Sequence, residues 1–179
     1  MRDIAVLLGG ISAEREVSLA TGAQVMAALA EAGFAPRAID VTADLGALVA
    51  ALTKPRPDVV FNALHGRFGE DGCVQGVLDW LGLPYTHSGV RASALAMDKV
   101  AAKTLFSAAG LPVARHREVT APELEAGDPL PRPYVVKPVN EGSRSVSPSC
   151  AMAIIAVPRL PVVGATAASS RRNSSPAAN

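Results

Sequence analysis

The chain has 179 residues, 49% of them hydrophobic, and a formal net charge of +1. This length allows one domain, or one domain and part of another, with ample apolar material for a packed core. The charge gives no reason to expect nucleic acid or an anionic membrane as partner, and no apolar run approaches the length of a membrane span.

Cysteine usage and the N-terminal residues indicate the cellular compartment. Cys73 and Cys150 lie far apart and form no C-x-x-C pair, so the sequence suggests neither a disulfide framework nor a zinc site. The first residues, 1–3, run directly into an apolar segment with no secretory leader. We therefore expect a reducing, cytoplasmic location.

The apolar pattern alternates between strands and helices over the first half of the chain. The runs 4–8, 37–41 and 58–63 predict strands, and residues 44–52 and 71–81 predict helices. A further helix follows the first run, with one face formed by Val17, Thr21, Val25, Ala28, Leu29 and Ala32. This alternation predicts an α/β fold with a parallel sheet and helices on both faces. We expect the aromatic side chains of Phe61, Trp80 and Tyr85 to belong to the core.

The pattern changes near Gly110. Before it, residues 84–85 predict a short extended piece and residues 93–109 a single helix. After it, residues 113–116 and 134–137 predict extended segments on either side of a proline-rich stretch. We place a domain boundary at this change, and we expect the 134–137 strand to be an unpaired edge.

The charge distribution sets the C-terminal segment apart. All 16 acidic residues lie at or before Glu141, whereas residues 144–179 hold four arginines and no acid. This segment is rich in Ala, Ser and Pro, with one apolar run at 151–157. Such a composition predicts a disordered tail.

Two polar loops follow predicted strands. Glu14, Arg15 and Ser18 follow the first, and a loop containing His65 and Glu70 follows the third. Because parallel strands end at the same edge of a sheet, both loops should border the crevice where α/β folds bind ligands. Their glycine spacing matches neither the dinucleotide nor the phosphate-loop pattern, which favours a ligand other than a nucleotide at this crevice.

The His65 loop allows two further interpretations. One histidine beside two adjacent acids, Glu70 and Asp71, lacks a full ligand set, so we predict no metal site. A plain turn in which Asp71 caps the next helix remains the structural alternative.

Several ordered motifs together resemble the D-alanine–D-alanine ligases, a family of ATP-grasp ligases, over residues 4–143. The motifs are Gly9-Gly10-Ile11-Ser12-Ala13-Glu14-Arg15-Glu16-Val17-Ser18, Leu64-His65-Gly66, Gly69-Glu70-Asp71-Gly72, Met97-Asp98-Lys99 and Val136-Lys137-Pro138. The resemblance implies ATP-dependent joining of two D-alanines for peptidoglycan synthesis, with magnesium or manganese as cofactor, in a cytoplasmic homodimer. It also implies that an ATP-grasp central domain follows the first domain.

The resemblance also implies roles for individual residues. Glu14 would hold the ammonium group of the first D-alanine, and Ser18 and His65 would contact this substrate. Ser143 would join Glu14 in a catalytic hydrogen-bond network. ATP would be bound by Lys99, Lys137, Glu141 and Gly142.

The resemblance ends at Arg144, inside a motif that the family continues differently. We therefore expect an N-terminal domain at 1–110, an incomplete ATP-grasp domain at 111–143 and a tail at 144–179 outside the family. A shifted reading frame is our hypothesis for the tail. In the family, the metal-binding acids lie beyond the region that this chain resembles. We therefore expect these 179 residues to be inactive. The alternatives are a folded, non-catalytic remnant that binds D-alanine or pairs with intact ligase, and a different ATP-dependent carboxylate–amine ligase.

Overall fold

A computed structural model describes residues 2–140 and 152–156, which form two three-stranded sheets. The first half contains β1 (Asp3–Gly9), α1 (Arg15–Glu31), β2 (Ala35–Val41), α2 (Leu45–Thr53), β3 (Val59–Asn62) and α3 (Cys73–Trp80). Its strands pair in parallel in the order β2-β1-β3, with Leu7 of β1 opposite Ile39 and Asn62. The predicted parallel sheet is confirmed.

The central strand β1 is buried on both faces because helices cover both. Ala5 and Leu7 pack in the larger core cluster, which includes residues of α2 and α3 such as Leu52 and Leu78. Ile4 and Val6 point to the opposite side, where α1 packs through partly buried side chains. This alternation along one strand is that of a β-strand between two helical layers, and the prediction of helices on both faces is confirmed.

The buried face of α1 agrees only in part with the predicted one, since Val25 and Leu29 pack against the sheet as expected. Val17, Ala28 and Ala32 are exposed, whereas Ser18 and Gly22 are buried. A Cβ atom on Gly22 would lie 2.6 Å from the Cβ of Leu8, so α1 approaches the sheet more closely than a larger side chain would allow. The small residues Ser18 and Gly22 therefore make the closest approach to the sheet, beside the apolar side chains of Val25 and Leu29.

The single helix predicted over 93–109 is wrong, since two helices are present: α4 (Val90–Met97) and α5 (Lys99–Ala108). Asp98 separates them in an extended conformation, with ψ at 103°. Its carboxylate accepts hydrogen bonds from the amides of Val100 and Ala101, each 2.9 Å long. Asp98 thus caps the start of α5.

The second sheet corrects several expectations. It contains β4 (His116–Val119), β5 (Tyr134–Pro138) and β6 (Met152–Ala156), paired antiparallel in the order β4-β6-β5. The expected disorder of the tail is wrong for residues 152–156, and β5 is not unpaired, because β6 pairs with it. The strand predicted at 113–116 begins only at His116, and the proline-rich segment contains a helix, α6 (Ala121–Ala126).

The two sheets connect through the start of α5, whose Lys99 amide donates to the carbonyl of Val139 at 3.2 Å. The core assignment of Trp80 is wrong, since this side chain is 91% exposed at the end of α3. The predicted domain boundaries at 110 and 143 stay predictions. Within the part of the chain that the structure describes, no helix is long and apolar enough to cross a bilayer.

Candidate functional site

The loops after β1 and β3 meet at the carboxyl edge of the parallel sheet, as their positions in the sequence predict. The hydroxyl of Ser12 donates to the carbonyl oxygen of His65 at 2.7 Å and accepts a hydrogen bond from the amide of Glu14 at 3.1 Å. One serine therefore joins both loops and brings Glu14 next to the His65 loop.

Glu14 is the N-cap residue of α1, but its carboxylate makes no capping hydrogen bond. Oε2 instead lies beside Gly66, where it would be 3.0 Å from a Cβ atom added to that glycine. The carboxylate also has no ion pair among the described residues. A negative charge at this position is favoured by the N-terminal end of the α1 dipole, and its oxygens remain open to a cationic ligand.

The imidazole of His65 is held from two sides and is only partly buried. Its Nε2 lies 3.1 Å from the hydroxyl of Thr21 on α1, and its Nδ1 lies 3.9 Å from Oε1 of Glu70. The other oxygen of Glu70 accepts a 2.6 Å hydrogen bond from the amide of Gly66. The ring thus has a position defined by Thr21 and Glu70, and either nitrogen can carry the proton.

Arg15 and Ser18 are already engaged within the protein. Arg15 makes a two-pronged ion pair with Asp40, with N–O distances of 2.8 and 2.7 Å. This hydrogen-bonded pairing holds the pKa of Asp40 below its ordinary value. Ser18 is fully buried and donates to the carbonyl of Ala63 at 2.7 Å. Its substrate-binding role stays a prediction.

The carboxylate of Asp71 forms hydrogen bonds within the turn before α3. Its two oxygens accept hydrogen bonds from the amides of Phe68 and Cys73, at 2.9 and 3.0 Å. Burial raises the pKa of this carboxyl, but the amide hydrogen bonds outweigh burial and leave the pKa below its ordinary value. Within residues 2–140 and 152–156, no group of three His, Cys, Asp or Glu side chains could hold a metal ion.

The residues assigned to ATP are only partly described. The Lys99 ammonium donates to the carbonyl of Val139 at 3.3 Å, so it lies at the end of β5, two residues beyond Lys137. The structure thus places Lys99 near the strand that carries Lys137. Glu141, Gly142 and Ser143 lie outside the described residues.

A cavity of about 570 Å³ opens beside His65, between β3, α1 and α4. Its lining includes Asn62, Gln75 and His87, which sequence reasoning did not identify, as well as Lys99. Asn62 carried a signal, since it is a polar residue at the end of an apolar strand. No sequence pattern indicated His87. Its backbone has a positive φ of 77°, a conformation that depends on how the loop folds and is not evident from the sequence.

Comparison with known proteins points to one family. Residues 48–88 match the family model of the D-Ala–D-Ala ligase N-terminus. A curated D-alanine–D-alanine ligase of Acidiphilium cryptum is 71% identical over 143 residues, which cover 80% of this chain and 47% of the relative. That of Granulibacter bethesdensis is 68% identical over 143 residues, covering 80% of this chain and 46% of the relative.

Comparison with solved structures points to the same family. A crystal structure of D-alanine–D-alanine ligase from Bacillus anthracis aligns with a TM-score of 0.67 and 30% identity, covering 88% of this chain and 50% of that one. A structure of the same enzyme complexed with ATP gives a TM-score of 0.67 at 28% identity, covering 89% of this chain and 60% of that one. The chain spans about half the length of the curated relatives it matches. Over the matched residues, the chain therefore resembles the N-terminal portion of the D-alanine–D-alanine ligases in both sequence and fold.

Proposed function

We propose that this chain carries the first-substrate site of an ATP-dependent D-alanine–D-alanine ligase. The observation that carries the proposal is the juxtaposition of Glu14 and the His65 loop. The carboxylate lies against Gly66 and has no capping role. A half-buried carboxylate with no ion pair among the described residues is suited to an ammonium group, because charge-assisted hydrogen bonds are roughly twice as strong as neutral ones.

His65 completes the amino-acid site in this proposal. An imidazole N–H can donate to a substrate carboxylate, and the contacts with Thr21 and Glu70 fix where that donor lies. The ammonium and carboxyl groups of one small amino acid would then be bound by Glu14 and His65. Ser18 contributes indirectly, through its hydrogen bond to Ala63 at the start of the His65 loop.

ATP would be bound where the two sheets meet. Lys99 and Lys137 supply positive charge there, and such cations stabilise the charge of a phosphoryl group as it is transferred. ATP, with a divalent cation, supplies the chemistry that activates a carboxylate for attack by an amine. Glu141, Gly142 and Ser143 are assigned to the same region by family resemblance alone, as are the homodimer and the cytoplasmic location.

A chimera tests this proposal. Residues 1–143 of this chain would be fused to the remaining C-terminal part of the Acidiphilium cryptum ligase, which is 71% identical over the matched region. We expect ADP release that depends on D-alanine and is lost with L-alanine. A folded chimera that uses another amino acid in preference would support a different carboxylate–amine ligase, and one with no amino-acid dependence would overturn the proposal.

A second function is tested in the same series. If the isolated 179-residue chain binds D-alanine while the folded chimera releases no ADP, the non-catalytic remnant is the better account. Binding can be followed by NMR titration of the labelled chain with D-alanine, with L-alanine as the matched control ligand.

A further inference from the structure

The loop that carries His65 is held by two buried amide side chains. The side-chain NH2 groups of Asn62 and Gln75 both donate to the carbonyl oxygen of Gly69, each at 2.8 Å. Asn62 is 3% exposed and Gln75 is 1% exposed. We call this three-residue arrangement, Asn62 and Gln75 on the carbonyl of Gly69, the amide clamp.

The orientation of Gln75 in the clamp follows from chemistry. A carbonyl oxygen can only accept, so the NH2 group and not the side-chain oxygen of Gln75 must face Gly69. That orientation leaves Oε1 of Gln75 buried without a hydrogen-bond partner among the described residues. A buried acceptor without a partner is destabilising, and an exception of this kind in a native protein calls for an explanation.

The need of the Gly69 carbonyl for a hydrogen bond does not explain why Gln75 is present as a second donor. The Gly69 carbonyl already accepts from Asn62, and an apolar side chain of similar volume at position 75 would avoid the unpartnered oxygen. What Gln75 adds is a second restraint on the position of Gly69. Gly69 is closely packed, because a Cβ on this residue would lie 2.4 Å from the Cβ of Leu64.

The restraint on Gly69 affects His65 through Glu70. Glu70 follows Gly69 directly, binds the amide of Gly66 at 2.6 Å and lies 3.9 Å from Nδ1 of His65. A shift of Gly69 therefore moves the acid that faces the imidazole. We propose that Gln75 is a positioning residue that acts through Gly69 and Glu70 to hold His65 in its binding orientation. The effect on ligand rests on the proposed D-alanine site, whereas the effect on His65 does not.

The test variant is Gln75→Met, which keeps the volume and removes both polar atoms. The matched control is Gln24→Met, at the only other glutamine of the chain, which is exposed on α1. The chain has three histidines, so the imidazole signals of His65, His87 and His116 can be assigned individually by NMR. His116 lies on β4, in the second sheet, and serves as the internal reference.

We expect Gln75→Met to melt no lower than the wild type, while the ring signals of His65 shift or broaden and those of His116 stay unchanged. The dissociation constant for D-alanine should rise about three- to tenfold, the range for loss of one hydrogen bond. Lower stability with unchanged His65 signals and unchanged binding would reduce Gln75 to a core residue and overturn the proposal.

A measurement on the wild type covers the case in which the variant does not fold. The side-chain NH2 protons of Gln75 should exchange with solvent much more slowly than those of Gln24, and equal exchange rates would overturn the clamp. If wild-type protein binds no D-alanine while Gln75→Met still perturbs the His65 ring, the proposed function fails and the positioning role stands.

Discussion

The carboxylate of Glu14 lies so close to Gly66 that a methyl group on this glycine would be 3.0 Å from Oε2. Gly66 also has a φ of 71°, in the left-handed region that favours glycine. The two residues come from loops after different strands, so this contact couples the conformation of the His65 loop to the position of the Glu14 carboxylate.

Gly66→Ala should therefore affect both stability and ligand binding. Gly33→Ala is the matched control, because Gly33 has a similar φ of 82° but nothing within 4 Å of an added Cβ. Each variant should lose about 1 kcal/mol or more of unfolding free energy from backbone strain. Only Gly66→Ala should also weaken D-alanine binding, as measured by NMR titration. Equal effects of the two variants on binding would contradict this coupling.

Two helical glycines should respond to alanine with opposite signs. A Cβ on Gly22 would meet side-chain atoms of Leu8 at 2.6 and 2.7 Å, whereas the nearest atom at Gly76 is 4.0 Å away. Gly22→Ala should destabilise by about 1–3 kcal/mol because the helix must move off the sheet. Gly76→Ala should stabilise by about 0.5–1 kcal/mol through helix propensity. Urea unfolding measures both, and destabilisation by both variants would contradict the packing at Gly76.

The parallel sheet and the meeting of the two loops could be predicted because both follow from local pattern. Strand–helix alternation determines that strands run parallel, and parallel strands place their following loops at one edge. Ser12 could not be assigned in this way, since its bond to His65 joins residues 53 positions apart. The pairing of β6 with β4 and β5 likewise depends on partners distant in sequence, and local composition there favoured disorder.

Two features that the sequence-based predictions missed, α6 and the break between α4 and α5, were indicated by particular residues. Thr120 and Glu123 form a capping box at the start of α6, with a proline in the first turn, so the proline-rich stretch contained a helix signature. Asp98 similarly interrupts an apolar helical pattern with a residue typical of an N-cap. The exposure of Val17 had no such signal, because Val17 belongs to the same apolar pattern as Val25 and Leu29, which do pack against the sheet.

The Arg15–Asp40 pair predicts a specific pH dependence of stability. Because the pKa of Asp40 is lowered in the folded state, its contribution is present above the unfolded value of about 3.9. The contribution disappears as pH falls from there through the folded pKa. The stability difference between wild type and Asp40→Asn should therefore shrink as the pH falls below about 4. In an Arg15→Gln background this pH dependence should be largely absent, and its persistence would show that another group causes it.

The isolated 179-residue chain should show no D-alanine-dependent ATP hydrolysis. Residues 144–179 contain no acid, and carboxylates are needed to hold the cation that neutralises the transferring phosphoryl group. A coupled ADP-release assay measures this directly. Turnover above the no-enzyme blank that is abolished by chelating magnesium would contradict the prediction.

The kinetics of Glu14→Gln in the chimera test the central claim, that Glu14 binds the first D-alanine, most directly. The matched control is Glu16→Gln, an exposed acid in the first turn of α1. Loss of one charge-assisted hydrogen bond should cost about 1.5–3 kcal/mol. We therefore expect Glu14→Gln to raise the KM for the first D-alanine by roughly tenfold or more and to lower turnover, with Glu16→Gln close to the parent. Unchanged kinetics in Glu14→Gln would contradict the account and reduce Glu14 to a surface residue.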